Sequence, residues 1–334
     1  MSLPFNNSIQ ISESVININI VSLSYLFRKT YGPSPPNHER IKVLSEYINK
    51  IIAGINKPIV INATGETVYI LQLTRGIIPL LKCSNDITII GSVEDNGILR
   101  DYNYKVDFNA MCNWYNFYQD LQTLNIDWKN IRIDKSILSL ANRPNMSRAN
   151  VTKFLLDNYK DKSIVSLGLN QVNNHLKSLI IKEMYPYELP IVIDKDVNTL
   201  EQQHSPPENI IYQCLLQIVN ETLEHGSDYI FLSEKSFKVF AWHQLPIFVT
   251  VQGHVQKIRE LGFDVFDDIF DGHSYDEKRF SNTHKLKIFS TIKKFMDTYP
   301  TIEHQRDLRN KLWNRIETNN LHLAKLVAQS RTIL

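Results

Sequence analysis

The chain has 334 residues, 43% of them hydrophobic, and its 37 Lys plus Arg against 35 Asp plus Glu give a formal charge of +2. This apolar content excludes a disordered chain and can form two hydrophobic cores, while the near-neutral balance argues against wholesale nucleic-acid binding and leaves a local basic groove open. Three widely spaced cysteines have no metal-ligand spacing, and no stretch approaches the roughly 18 apolar residues of a membrane span. We therefore expect a soluble cytoplasmic protein that does not bind membranes.

Strand and helix patterns alternate along the first part of the chain. The predicted elements are strands at 18–27, 57–66 and 86–95, and helices at 39–55, 69–81 and 108–124. The aromatic side chains of the last helix recur at helical spacing, which is typical of core packing and less typical of a platform for bases. This alternation predicts a parallel sheet covered by helices.

The same alternation restarts after residue 130. The sequence predicts a strand, loop, helix and strand over 135–168, a helix at 169–182, a short apolar piece at 188–194, and a helix after Ser233 that leads into a strand. It also predicts a helix, a glycine stop and a short strand over 252–266, and helices from about 283 with a break at 298–305. The apolar run at 210–219 fits either a helix or a buried strand. We expect an α/β fold with domains 1–130 and 131–334 and a helical C-terminus that could pack back on the first domain.

One short segment of the second domain combines a helix start with charged side chains. Ser233 is a suitable N-cap, and the dipole and N–H groups of a helix N-terminus favour an anion. Lys235 and Lys238 lie three residues apart in the first turn, which suggests a phosphate-bearing ligand, and Glu234 offers acceptors for a ribose diol. A capped surface helix with ordinary charges explains the same pattern equally well.

Loops that follow strands are further candidates, because ligands bind beyond the carboxyl ends of the strands in open α/β sheets. Arg143 and Arg148 lie in the loop after the strand at 135–139, and an arginine fork binds two phosphate oxygens at once. Both arginines could equally be solvated or paired with acids. Gly168 follows the next strand and permits close backbone approach, although a simple turn explains it as well.

Acidic residues at strand ends of the first half are candidates for a general base. These are Glu66, Glu94 and Asp95, although each acid alone is more often a solvated loop residue. A second set of acidic residues lies in the segment DVFDDIFDGHSYDE. Its spacing is more typical of a solvated surface than of a metal site. The chain contains no HExxH, P-loop, GxGxxG or GxSxG pattern, so we predict no metal site and no cofactor.

Two separated motifs resemble a known family. The segment NETLEHGSDYIFLSEKSFKVFAWHQLPIFVTVQGHVQKIRELGFDVFDDIFDGHSYDE, at 220–277, is similar to the C-terminal signature of glycosyltransferases encoded by phages and large DNA viruses. The upstream segments ILSLANRPNMSR and KSIVSLG resemble the arginine loop and following strand of that family. The SEK core also resembles the donor site of the α1,3-fucosyltransferases. The resemblance covers about 131–276, but VTVQGHVQK and HSYD depart from the family pattern.

The resemblance implies a GT-B fold, in which two Rossmann-like domains face each other and the C-terminal one holds a nucleotide-sugar donor without a metal. On this resemblance Glu234 would bind the ribose, and Lys235, Lys238 and Arg148 would contact the diphosphate. Arg143 matches the arginine that precedes the proline of the family motif. A viral source would place the protein in the cytoplasm of the host cell.

These observations together predict a glycosyltransferase that moves a sugar from a nucleotide-diphosphate sugar to an acceptor hydroxyl. Glu66 or Asp95 would deprotonate that hydroxyl, and inversion is implied only by the fucosyltransferase resemblance. The acceptor is either a glycan or a hydroxymethylated base in double-stranded viral DNA. The alternative is a non-catalytic nucleotide or nucleic-acid binding protein on the same fold; an oxidoreductase is disfavoured by the missing glycine fingerprint.

Overall fold

The structure is a computed structural model of the chain. It describes residues 9–12, 14–20, 23, 37–63, 73–74, 76–81, 86–91, 93–95, 103–106, 126–141, 144–169, 172–191, 213–221, 229–277 and 282–331. The chain divides into an N-terminal unit, Met1–Cys112 with Asp228–Phe231, and a C-terminal unit, Asn113–Ser227 with Leu232–Leu334. The predicted limits of 1–130 and 131–334 fall close to residues 107–125, which lie outside the described ranges, so these limits stay a prediction.

A mostly parallel sheet forms the described part of the N-terminal unit. Its elements are β1 (Ile9–Ile11), β2 (Ile16–Asn19), α1 (Asn37–Ile52), β3 (Ile59–Ala63), β4 (Ile87–Gly91), β5 (Val93–Asp95) and β6 (Asn103–Val106). The strand order is β1-β2-β3-β4-β6, with only the β1–β2 pair antiparallel among these strands. The isoleucines of β2 and β3 are fully buried, whereas Asn17 of β2 is exposed, so the buried side chains of β2 lie on one face of the sheet.

The described residues can be compared with four expectations for the N-terminal unit. The helix at 39–55 and the strand at 57–66 are confirmed by α1 and β3. The strand predicted at 18–27 is wrong at Ile20 and Leu23, which are helical; an apolar run alone does not separate a strand from a buried helix. The segment at 86–95 divides into β4 and β5, and β5 pairs antiparallel with β10 (Tyr229–Phe231). The helix predicted at 108–124 lies outside the described residues.

The C-terminal unit contains a parallel sheet in which four described strands pair in the order β11 (Leu245–Val249), β9 (Cys214–Asn220), β7 (Lys135–Ser139) and β8 (Ser163–Val165). Its described α-helices are α2 (Met146–Tyr159), α3 (Asn174–Met184), α4 (Glu234–Ala241), α5 (His254–Glu260), α6 (Asn282–Thr298) and α7 (Ile302–Arg331). All seven residues of β9 and all five of β11 are buried. The ambiguous run at 210–219 therefore contains a buried strand.

Packing between the helices completes the core of this unit. Phe154 of α2 stacks on Phe289 of α6 at 4.3 Å between ring centroids. Asn320 of α7 donates from its side chain to the carbonyls of Phe240 and Ala241 at the end of α4. The helices predicted from residue 283 onward are confirmed, as is the break between them.

Two predicted elements of the C-terminal unit differ from the structure. The helix expected from residue 169 begins at Asn174, because the side chain of Asn173 accepts the N–H of Leu176 and caps it there. The short strand expected near residues 263–266 is wrong. Phe263 stacks on Phe240 of α4 at 4.5 Å, and Phe266 adopts a φ of 62° in a turn, so neither residue joins the sheet.

A buried hydrogen-bond chain holds the turn that follows α5. His273 donates from Nε2 to the carbonyl of Val265 at 2.7 Å, so its Nδ1 accepts the hydroxyl of Tyr275, also at 2.7 Å. The Tyr275 oxygen in turn accepts the N–H of Phe248 in β11 at 3.1 Å. Burial raises the pKa of Tyr275, which keeps the hydroxyl protonated.

We expect Tyr275→Phe to lower the free energy of unfolding by about 2 kcal/mol, because it leaves two buried polar groups without their partner. Urea denaturation followed by tryptophan fluorescence measures the change. Tyr185→Phe is the matched control, since Tyr185 is 78% exposed. Equal free energies of unfolding in the two variants would show that the hydrogen bonds of the Tyr275 hydroxyl do not stabilise the fold.

The observed class is α/β with parallel sheets, which confirms the coarse fold prediction. Among the residues that the structure describes, no helix is both long and apolar enough to cross a membrane.

Candidate functional site

The order of the strands in the C-terminal sheet reverses between its two central strands, β7 and β9. β7 leads through α2 to β8 on one side, whereas β11 pairs with β9 on the other side. Such a reversal, called a switch point, opens a crevice at the carboxyl ends of the strands, where α/β proteins bind ligands. Ser139 ends β7 and Asn220 ends β9, and the Asn220 side chain donates to the Ser139 hydroxyl at 3.0 Å. The loops that follow these two strands therefore border the candidate site.

Arg148 lies at this crevice in the first turn of α2. The side chain of Asn145 caps the helix by accepting the Arg148 N–H at 2.9 Å. The guanidinium is buried, and its Nη2 donates to the carbonyls of Asn220 at 3.3 Å and Glu221 at 2.6 Å. These bonds tie the start of α2 to the end of β9 and fix a cation at the switch point. The contact of Arg148 with a diphosphate stays a prediction.

The predicted cap of α4 is confirmed. Ser233 has extended backbone angles, and its hydroxyl accepts the N–H of Lys235 at 3.2 Å. The Ser236 N–H donates to the Ser233 carbonyl. The N–H groups of Lys235 and Ser236 are therefore occupied within the protein, so an anion at this turn would depend mainly on the lysine side chains. That differs from the expectation that unpaired backbone groups would bind it.

Charged side chains cluster on the first turn of α4. Lys235 Nζ lies 3.1 Å from Glu234 Oε1, and the two side chains are 33% and 24% exposed. Lys238, one turn further on, is buried and lies 6.0 Å from the centre of the Trp242 ring. Burial tends to raise the pKa of Glu234, but Lys235 and Lys238 outweigh it and lower that pKa. The carboxylate is thus ionised between two cations at neutral pH.

Burial, with the charge of Lys235, lowers the pKa of Lys238 to about 8, although Glu234 acts in the opposite direction. A lysine with this pKa is partly neutral near pH 8 and gains its proton when an anion approaches. Lys238 is therefore suited to neutralising a charge that binds or develops beside it.

A buried network supports this turn from below. Glu221, the first residue after β9, accepts the Ser233 N–H at 3.2 Å and the Ser236 hydroxyl at 2.5 Å through Oε1. The Ser236 oxygen lies 2.8 Å from His254 Nε2, so His254 donates to it in this arrangement. Glu221, Ser236 and His254 are all fully buried. Burial lowers the pKa of His254 to about 4, which keeps the ring neutral despite the nearby carboxylate.

The side chain of Asp276 caps the start of α5. Its carboxylate accepts the N–H groups of Val255 at 3.1 Å and Gln256 at 2.9 Å, because Gly253 at the N-cap has no side chain. Burial raises the pKa of Asp276. The start of α5 is therefore closed by a residue of the chain itself.

Several carboxylates of the acidic segment at 264–277 form ion pairs with arginines. Arg315 pairs with Asp264 at 2.6 Å and with Asp268 at 2.7 Å, and Arg259 pairs with Asp267 at 2.6 Å. These carboxylates join the segment to α7 and α5. Over the described ranges, no group of three or more His, Cys, Asp or Glu residues could hold a metal ion.

The other predicted residues are placed less completely. The N–H of Gly168 donates to the Ala141 carbonyl at 2.8 Å, which puts the two loops side by side. Asp95 ends β5 opposite Tyr229 of β10. Glu66 and Arg143 lie outside the described residues. The roles assigned to all four stay predictions.

Glu221, Ser236 and His254 were not singled out from the sequence. Glu221 follows a buried strand, and this position in an α/β sheet is the signal that could have found it. No known protein family, curated protein or solved structure matches the chain.

Proposed function

We propose that the protein is a metal-independent glycosyltransferase of the GT-B type that uses a nucleotide-diphosphate sugar as donor. The observation that carries the proposal is the first turn of α4, where Glu234 and Lys235 lie beside the buried Lys238 in a unit built on a parallel sheet. The resemblance of the SEKSFK motif to a donor site supports the same assignment. The Ser233 cap and the Glu221 network hold this turn in place.

In the proposed reaction, the acceptor hydroxyl displaces the nucleoside diphosphate at the anomeric carbon. Lys235 and Lys238 stabilise the negative charge that develops on the leaving diphosphate, and Lys238, with a pKa of about 8, is mostly protonated at neutral pH. Glu234 accepts the ribose hydroxyls. Glu66 and Asp95 remain the proposed candidates for the base, and the acceptor is a glycan or a hydroxymethylated base in viral DNA.

We expect Lys235→Ala and Glu234→Ala each to weaken binding of the donor by about 10- to 100-fold, because each removes a charged hydrogen-bonding partner. A thermal-shift screen of nucleotide sugars identifies the donor, and calorimetry then measures the affinities. Lys293→Ala, at an exposed site on α6, is the control. Unchanged donor affinity in both α4 variants would refute the site.

Turnover separates an enzyme from a binding protein of the same fold. The donor found in the screen is incubated with glycan acceptors and with hydroxymethylated duplex DNA, and the free nucleoside diphosphate is measured. Transfer to either acceptor supports the proposed function. Tight donor binding without diphosphate release from any acceptor favours the non-catalytic alternative.

A further inference from the structure

Four basic side chains surround a cavity at the opposite end of the C-terminal sheet. The cavity has a volume of about 320 Å³ and is lined by Lys129, Asn130, Ile131, Arg132, Ile133, Arg306, Arg309 and Asn310. The segment at 129–133 precedes β7, and the arginines 306 and 309 lie near the start of α7. The cavity, here called the arginine pocket, is therefore at the amino ends of strands whose carboxyl ends border the candidate donor site.

Arg309 is the most informative residue of the arginine pocket. It is 6% exposed, it donates to the carbonyls of Trp128 and Ile131, and it lies 5.2 Å from the centre of the Trp313 ring. Among the described residues no carboxylate pairs with it, and burial lowers its pKa to about 10. Burying a cation is costly unless an opposite charge compensates it, so the site favours an anion.

The excess of positive charge around Arg309 also favours binding of an anion. Asp134 is the carboxylate that pairs with pocket residues, at 2.6 Å from Arg132 and 3.4 Å from Arg306. Arg306 also donates from Nε and Nη2 to the Ile133 carbonyl, which fixes its guanidinium plane. Arg132 and Arg306 therefore share the Asp134 carboxylate, whereas the nearby acids Asp127 and Glu303 bind the Asn130 side chain and interact with Arg306, respectively. The guanidinium groups of Arg306 and Arg309 are held in place before any ligand arrives.

We propose that the arginine pocket binds a phosphate-bearing anion of about the size of a diphosphate. Fixed guanidinium groups suit phosphate oxygens because each has five N–H donors, of which the bonds to the Ile133, Ile131 and Trp128 carbonyls use two in Arg306 and two in Arg309. The volume lies at the lower end of the range for small-molecule sites, which fits a small anion better than a large apolar ligand. The exposed side chains of Lys129 and Arg132 add charge at the rim. This site is separate from the proposed donor site and does not depend on it.

The test uses pyrophosphate as the probe, at low ionic strength, in a Lys235→Ala background that weakens the donor site. Calorimetry gives the affinity, and amide hydrogen exchange of residues 126–134 reports where the anion binds. The pocket variant is Lys129→Ala with Arg132→Ala, since both side chains are exposed and their loss spares the buried Arg309. The matched control is Lys293→Ala with Lys294→Ala on α6, which removes the same charge from exposed positions.

We expect pyrophosphate to bind and to slow exchange at 126–134, the pocket variant to bind about tenfold more weakly, and the control to be unchanged. A short single-stranded oligonucleotide provides a second arm. Tighter binding of the oligonucleotide than of pyrophosphate, lost in the same variant, assigns the phosphate to a nucleic-acid backbone, and the reverse order assigns it to a small molecule. The proposal is overturned if neither probe binds, or if the pocket variant and the control bind equally.

Discussion

Glu221→Ala is expected to lower the free energy of unfolding of the C-terminal unit by about 3–5 kcal/mol. The carboxylate accepts both the Ser233 N–H and the Ser236 hydroxyl. Glu221 and Ser236 are completely buried, with 0% of each residue exposed to solvent. Removal of the carboxylate leaves these donors in a dry environment, where each unsatisfied group costs roughly 1–3 kcal/mol. Glu221→Gln keeps one acceptor oxygen and is expected to cost about half as much.

Urea denaturation followed by tryptophan fluorescence measures the effect. Glu260→Ala is the matched control, because the Glu260 side chain is 51% exposed and surface substitutions change stability by about 0.5 kcal/mol or less. A double-mutant cycle with Ser236→Ala isolates the contact, for which we expect a coupling of about 1–3 kcal/mol. A loss no larger than that of Glu260→Ala would show that the network does not stabilise the unit.

The same variant links stability to the proposed function. Glu221 holds the turn that carries Glu234 and Lys235, so Glu221→Gln should weaken donor binding at a temperature where the protein is still folded. A variant that is folded and binds the donor with unchanged affinity would limit Glu221 to a purely stabilising role.

Local signals explain which parts of the fold could be predicted. Ser233 is a strong N-cap residue in front of a helical pattern, and its predicted cap is present. The sequence of the buried strand β9 fits both a helix and a strand, because an apolar run of this length is ambiguous until neighbouring strands are known. Phe263 and Phe266 illustrate the opposite failure. Their apolar pattern resembles a strand, but Phe263 packs on the Phe240 ring and Phe266 packs against the Arg315 guanidinium outside the sheet.

Contacts between distant parts of the chain explain what the sequence could not reveal. Arg148 lies 73 positions before the Glu221 carbonyl to which it donates, and Ser236 lies 18 positions before His254. No local pattern shows such partners, because they meet only when the sheet forms. The charged residues of α4 were visible because they share one turn, whereas the buried acid that supports them was not.

Acidification provides the second large effect, through histidines that the fold keeps neutral. Burial lowers the pKa of His254, His273 and His284 to about 4, and burial together with the nearby Arg309 lowers that of His243 to about 3. The unfolded value is about 6.5, so the unfolded chain binds more protons below that pH. The stability is fully present above pH 6.5 and is lost as the pH falls toward the folded pKa values.

We expect the free energy of unfolding to fall by about 1.6 kcal/mol per histidine between pH 6.5 and pH 5, or about 6 kcal/mol for the four. This approaches the whole stability of an ordinary domain, so the C-terminal unit should unfold near pH 5. Asp267 and Asp268, whose pKa values are lowered by Arg259 and Arg315, lose their contribution only at lower pH. Asp276 acts in the opposite direction, because burial raises its pKa and protonation relieves that cost.

Urea midpoints at pH 7, 6 and 5 measure the slope of stability against pH. His254→Gln should reduce this slope by about one quarter, whatever its stability at pH 7, because it removes one of the four titrating groups. His304→Gln, at an exposed position on α7, is the matched control substitution. An unaltered slope in His254→Gln would mean that His254 is not held neutral in the folded protein, and the proton arrangement drawn for Glu221, Ser236 and His254 would then be wrong.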